Sequence, residues 1–561
     1  MYQDKVRDQI NAVTWSQRLR SRGNITAVLV ACSLAAVFDG CSAGKVSNGN
    51  GFENPTSGSG GSGGGSGTGG SGMSSTTQSG GTNGLIQDDG LNEPLKDAGN
   101  TAIPHDCVGL ECQQTSCKMG SCQQKACAAG GKTTVHGTVF DPAGKVPLYN
   151  VVVYVPKGEV KAFTPGATCD RCGSEGVKAL TSALTDTKGN FVLDDVPVGA
   201  NIPLVMQVGR WRRQIKIPNV TACSDLALTD KDLTRLPRKQ SEGDIPLIAI
   251  TTGGADSMEC LPRRMGIDDS EFSTEAGKGR IHLYGGGDNT EGAVSYRSTK
   301  EFDTTLNSGA ALSPATSVWA DTDHLKKYDL VIMSCEGAVN AQEKPASALK
   351  AMYDYQSLGG RVFASHWHRY WFTNGPAPVP TIATWRDGTP DPESPTLGTI
   401  DTSFPKGKAL SEWLVNVGAS MTAGQLNIFD GRENVQAVNP ALATQWITIQ
   451  STARSGGGGG GVFGRDSGGG GGGAQHQIVE YLSFNAPIGV PEAQQCGRAV
   501  FNDLHVSTSS ETGKDSPGQP FPVGCQQRDL TPQEKTVEFL LFDLSACLQP
   551  DSKAPEPPVI N

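Results

Sequence analysis

Short β-branched runs alternate with turn residues from Val135 to Ile217, the clearest pattern in the chain. Val135–Phe140 leads into Asp141-Pro-Ala-Gly144, and Val151–Val155 follows. Thr185-Asp-Thr-Lys-Gly-Asn-Phe-Val-Leu193 carries a second Asp-x-x-Gly, and Val196-Pro-Val-Gly199 precedes Leu204–Val208. Apolar side chains at alternate positions demand a sheet with one face inward, and the Asp, Pro and Gly clusters mark its turns. Trp211-Arg-Arg-Gln-Ile-Lys-Ile217 continues as a last strand, read as an edge protected by its charges. Its other reading is a basic, aromatic strip for an anionic polysaccharide.

From Asp244 the period changes. Buried runs at Ile245–Thr251, Arg280–Tyr284, Tyr328–Ser334, Arg361–Ser365 and Gly497–Phe501 alternate with helical stretches at Ser257–Met265 and Ala346–Leu358. Thr531-Pro-Gln-Glu534 opens a last helix with a capping box and a proline at its first position, running to about Ala546. Repeated βα units predict a mainly parallel sheet in three layers.

The first region has Gly137-x-Val139-x-Asp141-x-x-Gly144, Thr185-Asp186-x-x-Gly189-x-Phe191 and Val196-Pro197-x-Gly199 in order. It resembles the carboxypeptidase regulatory-like (transthyretin-like) domain over about 133–220, which implies a β-sandwich that binds or braces without a reaction centre. The second region, 244–547, resembles the class I glutamine amidotransferase-like superfamily, in its trehalose-utilisation-type branch. Tyr328-Asp-Leu-Val-Ile332, Leu358-Gly-Gly-Arg-Val-Phe-Ala-Ser-His366 and Gly497-Arg-Ala-Val-Phe-Asn-Asp-Leu-His505 carry that likeness. The implied fold class is multidomain α+β: a transthyretin-like β-sandwich, then a three-layer α/β flavodoxin-like domain with a mainly parallel sheet. Ala364-Ser365-His366-Trp367-His368 stands where that superfamily has its G-x-C-x-G nucleophile, so glutamine hydrolysis is not expected.

The N-terminus reads as an export signal. Arg18, Arg20 and Arg22 precede an apolar run, Ile25–Phe38, too short to span a bilayer comfortably, and Asp39-Gly-Cys41 follows. This layout resembles a bacterial lipoprotein with Cys41 as the lipidated residue; Cys32 is the other choice, and an ordinary cleaved signal or a short uncleaved anchor is the alternative to lipidation. The chain then divides into a leader (1–41), a Ser/Gly-rich linker (42–104), a Cys-rich segment (105–130), the sandwich (131–225), a linker (226–243), the α/β part (244–548) and a tail (549–561). A Gly-rich insert at 454–475 interrupts the α/β part and lacks the Gly-Lys-Ser/Thr ending of a phosphate loop. A net charge of −10 with no basic tract leaves no electrostatic footprint for nucleic acid.

Cysteine usage agrees with export. Cys107, Cys112, Cys117, Cys122 and Cys127 recur every fifth residue, a step of about 140° around a helix, so they cannot share one helical face. Neither does this spacing suit a zinc module, and a disulfide-stapled collar is expected. Cys169, Cys172, Cys223, Cys260, Cys496, Cys525 and Cys547 are further disulfide candidates. Cys223 is expected to pair with Cys169 or Cys172, Cys496 with Cys525, and Cys260 with Cys547. Setting Cys32 and Cys41 aside from the 15 cysteines leaves an odd number, so one thiol stays free or pairs outside the chain.

In a parallel α/β sheet the ligand crevice lies beyond the carboxyl ends of the strands. Asp256, Glu259, Cys335, Glu336, Ser365, His366, His368, Asp503 and His505 fall there. His366, His368, His505 and Asp503 are the candidate metal set, for a divalent ion with an open position. Cys335, Glu336, His366 and His505 are the candidate catalytic set, with a helix N-terminus favouring the thiolate. The third reading is that these groups only close the crevice through hydrogen bonds. The reading adopted is an exported, lipid-anchored cell-envelope protein, of the outer membrane or periplasm or else extracellular, that binds or braces a carbohydrate or envelope component, without catalysis or an obligatory cofactor. The alternative is an exported metal-dependent or thiol hydrolase, or a carbohydrate-modifying enzyme. The sequence leaves the oligomeric state open.

Overall fold

The computed structural model describes residues 127–172, 178–291, 293–386, 391–452, 475–506 and 514–558. Cys41, Cys32, Cys107, Cys112, Cys117, Cys122 and nearly all of the Gly-rich insert lie outside them. The described part is mixed α/β, dominated by sheet, and all of it falls in one compact unit.

Seven strands build two small sheets: β1 (Thr134–Thr138), β2 (Val152–Pro156), β3 (Ala179–Leu184), β4 (Asn190–Leu193), β5 (Gly199–Val208), β6 (Trp211–Val220) and β7 (Asp225–Leu228). One sheet runs β3-β2-β5-β6 and the other β4-β1-β7. Val135, Val153, Val155, Phe191, Leu193, Leu204 and Met206 from both sheets enter one apolar core. The two Asp-x-x-Gly motifs are its turns. Gly144 N–H donates to the Asp141 carbonyl and Gly189 N–H to the Asp186 carbonyl, each at 2.9 Å. The carboxylates of Asp141 and Asp186 accept further backbone N–H groups from the same turns. Both glycines take positive φ, +71° and +74°. β7 starts at the last residue of the expected sandwich, runs on into the stretch read as a linker at 226–243, and pairs parallel to β1. Its Asp-Leu-Ala-Leu pattern is too short to separate from a connection by periodicity.

Trp211 is buried against Phe542, and Arg212 pairs with Asp244 while stacking on Phe163 at 4.0 Å. The start of β6 therefore faces inward and offers no exposed stacking platform.

The remaining strands are β8 (Ile248–Thr251), β9 (Phe272–Ser273), β10 (Ile281–Tyr284), β11 (Asn289–Glu291), β12 (Val294–Tyr296), β13 (Leu330–Met333), β14 (Arg361–Ser365), β15 (Ala383–Trp385), β16 (Thr396–Ile400), β17 (Gln425–Ile428), β18 (Val435–Val438), β19 (Thr444–Thr452), β20 (Gln475–Ala486) and β21 (Gly497–Asn502). Ten of them form one sheet, ordered β17-β16-β19-β20-β21-β14-β13-β8-β10-β9. The six from β9 to β21 are parallel and the four from β20 to β17 antiparallel, so the sheet is mixed where a mainly parallel one was expected. The strand order reverses at β8, between β10 and β13, a switch point where such sheets open a crevice.

Alternate residues supply opposite faces. Ile248, Ile250, Leu330, Ile332, Phe363 and Val500 join one cluster; Ala249, Val331, Met333, Val362, Ala364, Ala499 and Phe501 join another. Helix α1 (Ala346–Ser357) covers the second face. Helices α2 (Pro405–Asn416) and α3 (Pro532–Ser545) cover the first, sharing its core with the small sheets. The Thr531–Glu534 capping box is formed as expected.

Four disulfides join Cys127–Cys223, Cys169–Cys496, Cys172–Cys547 and Cys260–Cys525. None of the three expected pairings occurs. The loop between β2 and β3 does not fold back toward Cys223. It reaches across to the large sheet, where Ala167 N–H donates to the Lys326 carbonyl at 2.8 Å and Cys172 N–H to the Leu548 carbonyl at 3.0 Å. Cys335 is free and buried, the ninth cysteine of the described residues.

Candidate functional site

Three strand ends converge on one buried cluster. Cys335 follows β13, His366 follows β14 and His505 follows β21, with 0%, 8% and 1% of their surfaces exposed. Cys335 Sγ lies 3.3 Å from His366 Nδ1, and the rings of His366 and His505 meet edge-on at 5.0 Å. The backbone turns sharply out of β14: His366 has φ +42°, a left-handed conformation that is costly for a side chain with a Cβ. The turn aims the imidazole at the thiol.

The surroundings seal this cluster. Ala255 N–H and Asp256 N–H donate to the Cys335 carbonyl at 3.0 and 3.2 Å, which folds the loop after β8 over the end of β13. A Cβ at Gly253 would fall 2.3 Å from that carbonyl oxygen, so only glycine permits the approach. The Asp256 carboxylate accepts from Val506 N–H at 3.1 Å and from Ser365 Oγ at 3.3 Å, tying the ends of β14 and β21 together. Tyr296, on the β11–β12 hairpin, packs against Gly254 and Gly337. Open clefts lie elsewhere, beside Arg171 and Glu492 and beside Arg263 and Arg528.

The electrostatics oppose a thiolate. Burial pushes the Cys335 thiol up to about 12, and backbone N–H groups of Trp367 and Gly337 offset this only in part. Burial, reinforced by the charges of Arg432, Arg369 and His368, holds His366 well below the ordinary histidine range. Both shifts favour a neutral thiol–imidazole contact over an ion pair. The distance suits proton transfer; the environment does not.

Several residues singled out in the sequence have other duties. Glu336 is fully buried and accepts from Gly287 N–H, Asn340 Nδ2 and Lys344 Nζ at 2.9, 3.0 and 3.1 Å. Burial raises its carboxyl, but His368, Lys344 and these donors outweigh that and hold it below the usual range. It braces the loop after β13. Asp503 accepts from the backbone and side chain of Asn434 at 3.0–3.2 Å, and burial pushes its carboxyl up to about 7. His368 donates from Nε2 to the Ser334 carbonyl at 2.9 Å, and its Nδ1 accepts from Trp371 Nε1 at 3.1 Å. With both nitrogens occupied it cannot ligate a metal in this arrangement. The four-residue metal set read from the sequence therefore does not assemble; the three-donor group is Cys335, His366 and His505. Glu259 is buried and lies outside that group.

No protein-family model matches the chain, and no curated protein matches it. Among the solved structures that overlap part of it are two mutants of a type II cohesin–X-dockerin complex from Acetivibrio cellulolyticus. The C-terminal interface mutant covers 26% of this chain and 79% of its own at 17% identity, with a TM-score of 0.13. The N-terminal interface mutant covers 24% and 85% at 19% identity, with a TM-score of 0.14. At such scores the likeness carries no argument about fold or partner.

Two neighbours of the cluster were not anticipated. Arg432 donates from Nη2 to His505 Nδ1 at 3.2 Å and pairs with Asp391. Glu480 is fully buried beside Asp503, and burial together with that second carboxylate raises it well above the usual range. A lone acid inside the apolar run Ile478-Val-Glu-Tyr-Leu482 was a readable signal; Arg432, in a polar turn, offered none.

His368 makes acid stability testable. Burial depresses it from 6.5 to about 4, so its contribution is present above pH 6.5 and is lost as pH falls through about 4. Between those limits the unfolding free energy of His368→Gln should fall less steeply with acid than wild type, by up to one proton. Chemical denaturation at a series of pH values measures the slope, and an unchanged slope contradicts the assignment.

Proposed function

We propose that this chain is an exported, lipid-anchored envelope protein whose disulfide-braced body binds or structurally supports a carbohydrate or another envelope component without catalysing a reaction. In this reading Cys41 carries the lipid, the small sheets are a carboxypeptidase regulatory-like sandwich, and the large sheet is an amidotransferase-like scaffold without its nucleophile. The observation that carries it is the closed crevice: Cys335 is fully buried and its thiol is pushed up to about 12. Eight of nine described cysteines in four disulfides support an oxidising compartment.

A second reading, a thiol hydrolase, has one observation in its favour, the 3.3 Å contact between Cys335 and His366. One experiment separates the two. The full chain is tested for saturable binding to isolated envelope polysaccharide, and for turnover of ester, amide and glycoside substrates, beside Cys335→Ala. Binding unchanged in the variant, with no turnover in either protein, is expected. Turnover that disappears in Cys335→Ala favours the hydrolase.

A further inference from the structure

The free thiol and its two imidazoles have a property that the closed crevice leaves unused. One donor atom from each of Cys335, His366 and His505 lies within 4.8 Å of the other two, and all three residues are buried. Nitrogens and a sulfur around a tetrahedral zinc ion stand roughly 3.3–3.6 Å apart, given bond lengths of about 2.0–2.1 and 2.3 Å. The Cys335–His366 separation is already 3.3 Å, so gathering the set needs only a small inward movement of His505. The second observation is independent of the clustering. His505 is 1% exposed, and its Nε2 has no hydrogen-bond partner, an orphaned polar atom in a sealed interior.

We propose that Cys335, His366 and His505 form a binding site for a borderline-soft divalent cation, zinc above all. One sulfur and two imidazole nitrogens suit zinc far better than magnesium or calcium, which take oxygen ligands. The site's three elements are the ends of adjacent parallel strands, so the ion would clamp β13, β14 and β21 at their carboxyl termini. Loading balances simply. The Cys335 S–H proton leaves to solvent as the Zn–S bond forms, and each imidazole gives a lone pair. Arg432 opposes it, because its hydrogen bond to His505 Nδ1 leaves the proton on Nε2. Coordination through Nε2 moves that proton to Nδ1 and shifts Arg432 toward Asp391, with which it already pairs. The inference goes beyond the proposed role, which is judged on polysaccharide binding and turnover and stands whichever way metal binding falls.

The test uses the full chain, stripped with a chelator and given Co²⁺ as a spectroscopic probe. One equivalent should bind slowly and produce a thiolate-to-cobalt charge-transfer absorption that Zn²⁺ displaces. Cys335→Ser should abolish that absorption while unfolding at a wild-type temperature, with Cys335→Ala as the second variant if the serine misfolds. His505→Gln should weaken binding tenfold or more. No absorption from the folded wild-type chain, or the same absorption in folded Cys335→Ser or Cys335→Ala, overturns the site.

Discussion

Lys344→Met is expected to destabilise the folded chain by about 3–5 kcal/mol, the range for stripping one partner from a buried ion pair. Lys344 and Glu336 are both completely buried and 3.1 Å apart, and Lys344 Nζ also donates to the Val339 carbonyl at 2.9 Å. Methionine preserves most of the volume and removes the charge, leaving the Glu336 carboxylate to Gly287 and Asn340 alone. The cost arises in the residue left behind. Lys344→Met combined with Glu336→Gln should therefore recover much of the loss, a coupling that adding the single effects would miss. Denaturant midpoints of the wild type, both single variants and the double variant measure this. A Lys344→Met protein as stable as wild type contradicts the pairing.

The second large effect concerns the two disulfides that tie the β2–β3 loop to the far end of the chain. Removing both Cys169–Cys496 and Cys172–Cys547 should cost several kcal/mol, since a native disulfide contributes typically 2–5 kcal/mol. The two losses should not be additive. Cys169 and Cys172 are three residues apart, so while either bond remains it still closes most of the other's loop. Cys169→Ser alone should therefore cost less than the same change made in a Cys172→Ser background. Equilibrium denaturation without reductant checks the order. Single and double variants that all unfold at the wild-type midpoint contradict this account of the bracing.

Where local chemistry decides an element, the sequence disclosed it. β14 was read to the residue because Gly359-Gly360 ends α1 and five buried side chains follow. The Asp141 and Asp186 turns and the Thr531–Glu534 capping box were equally plain, since each rests on contacts a few residues apart. The antiparallel wing of β16, β17, β19 and β20 was not seen. β17 spans only four residues, Gln425–Ile428, with Leu426 and Ile428 buried, and so short an alternation does not separate a strand from a connection. The disulfide partners lie 96 to 375 residues apart, a separation over which spacing carries no information. At the site, Cys335, His366 and His505 were legible as polar residues following apolar strands. That His368 turns away to Ser334 and Trp371 depends on the course of the short helical turn at His366–Arg369, which composition does not encode.

The accessibility of Cys335 bears most directly on the closed crevice. The folded chain, kept in chelator, is treated with a maleimide at pH 7 and at pH 9, and modified residues are mapped by mass. The account predicts that Cys335 stays unmodified for hours at both pH values and reacts only after denaturation. Rapid, stoichiometric labelling of Cys335 in the native protein at pH 7 contradicts it.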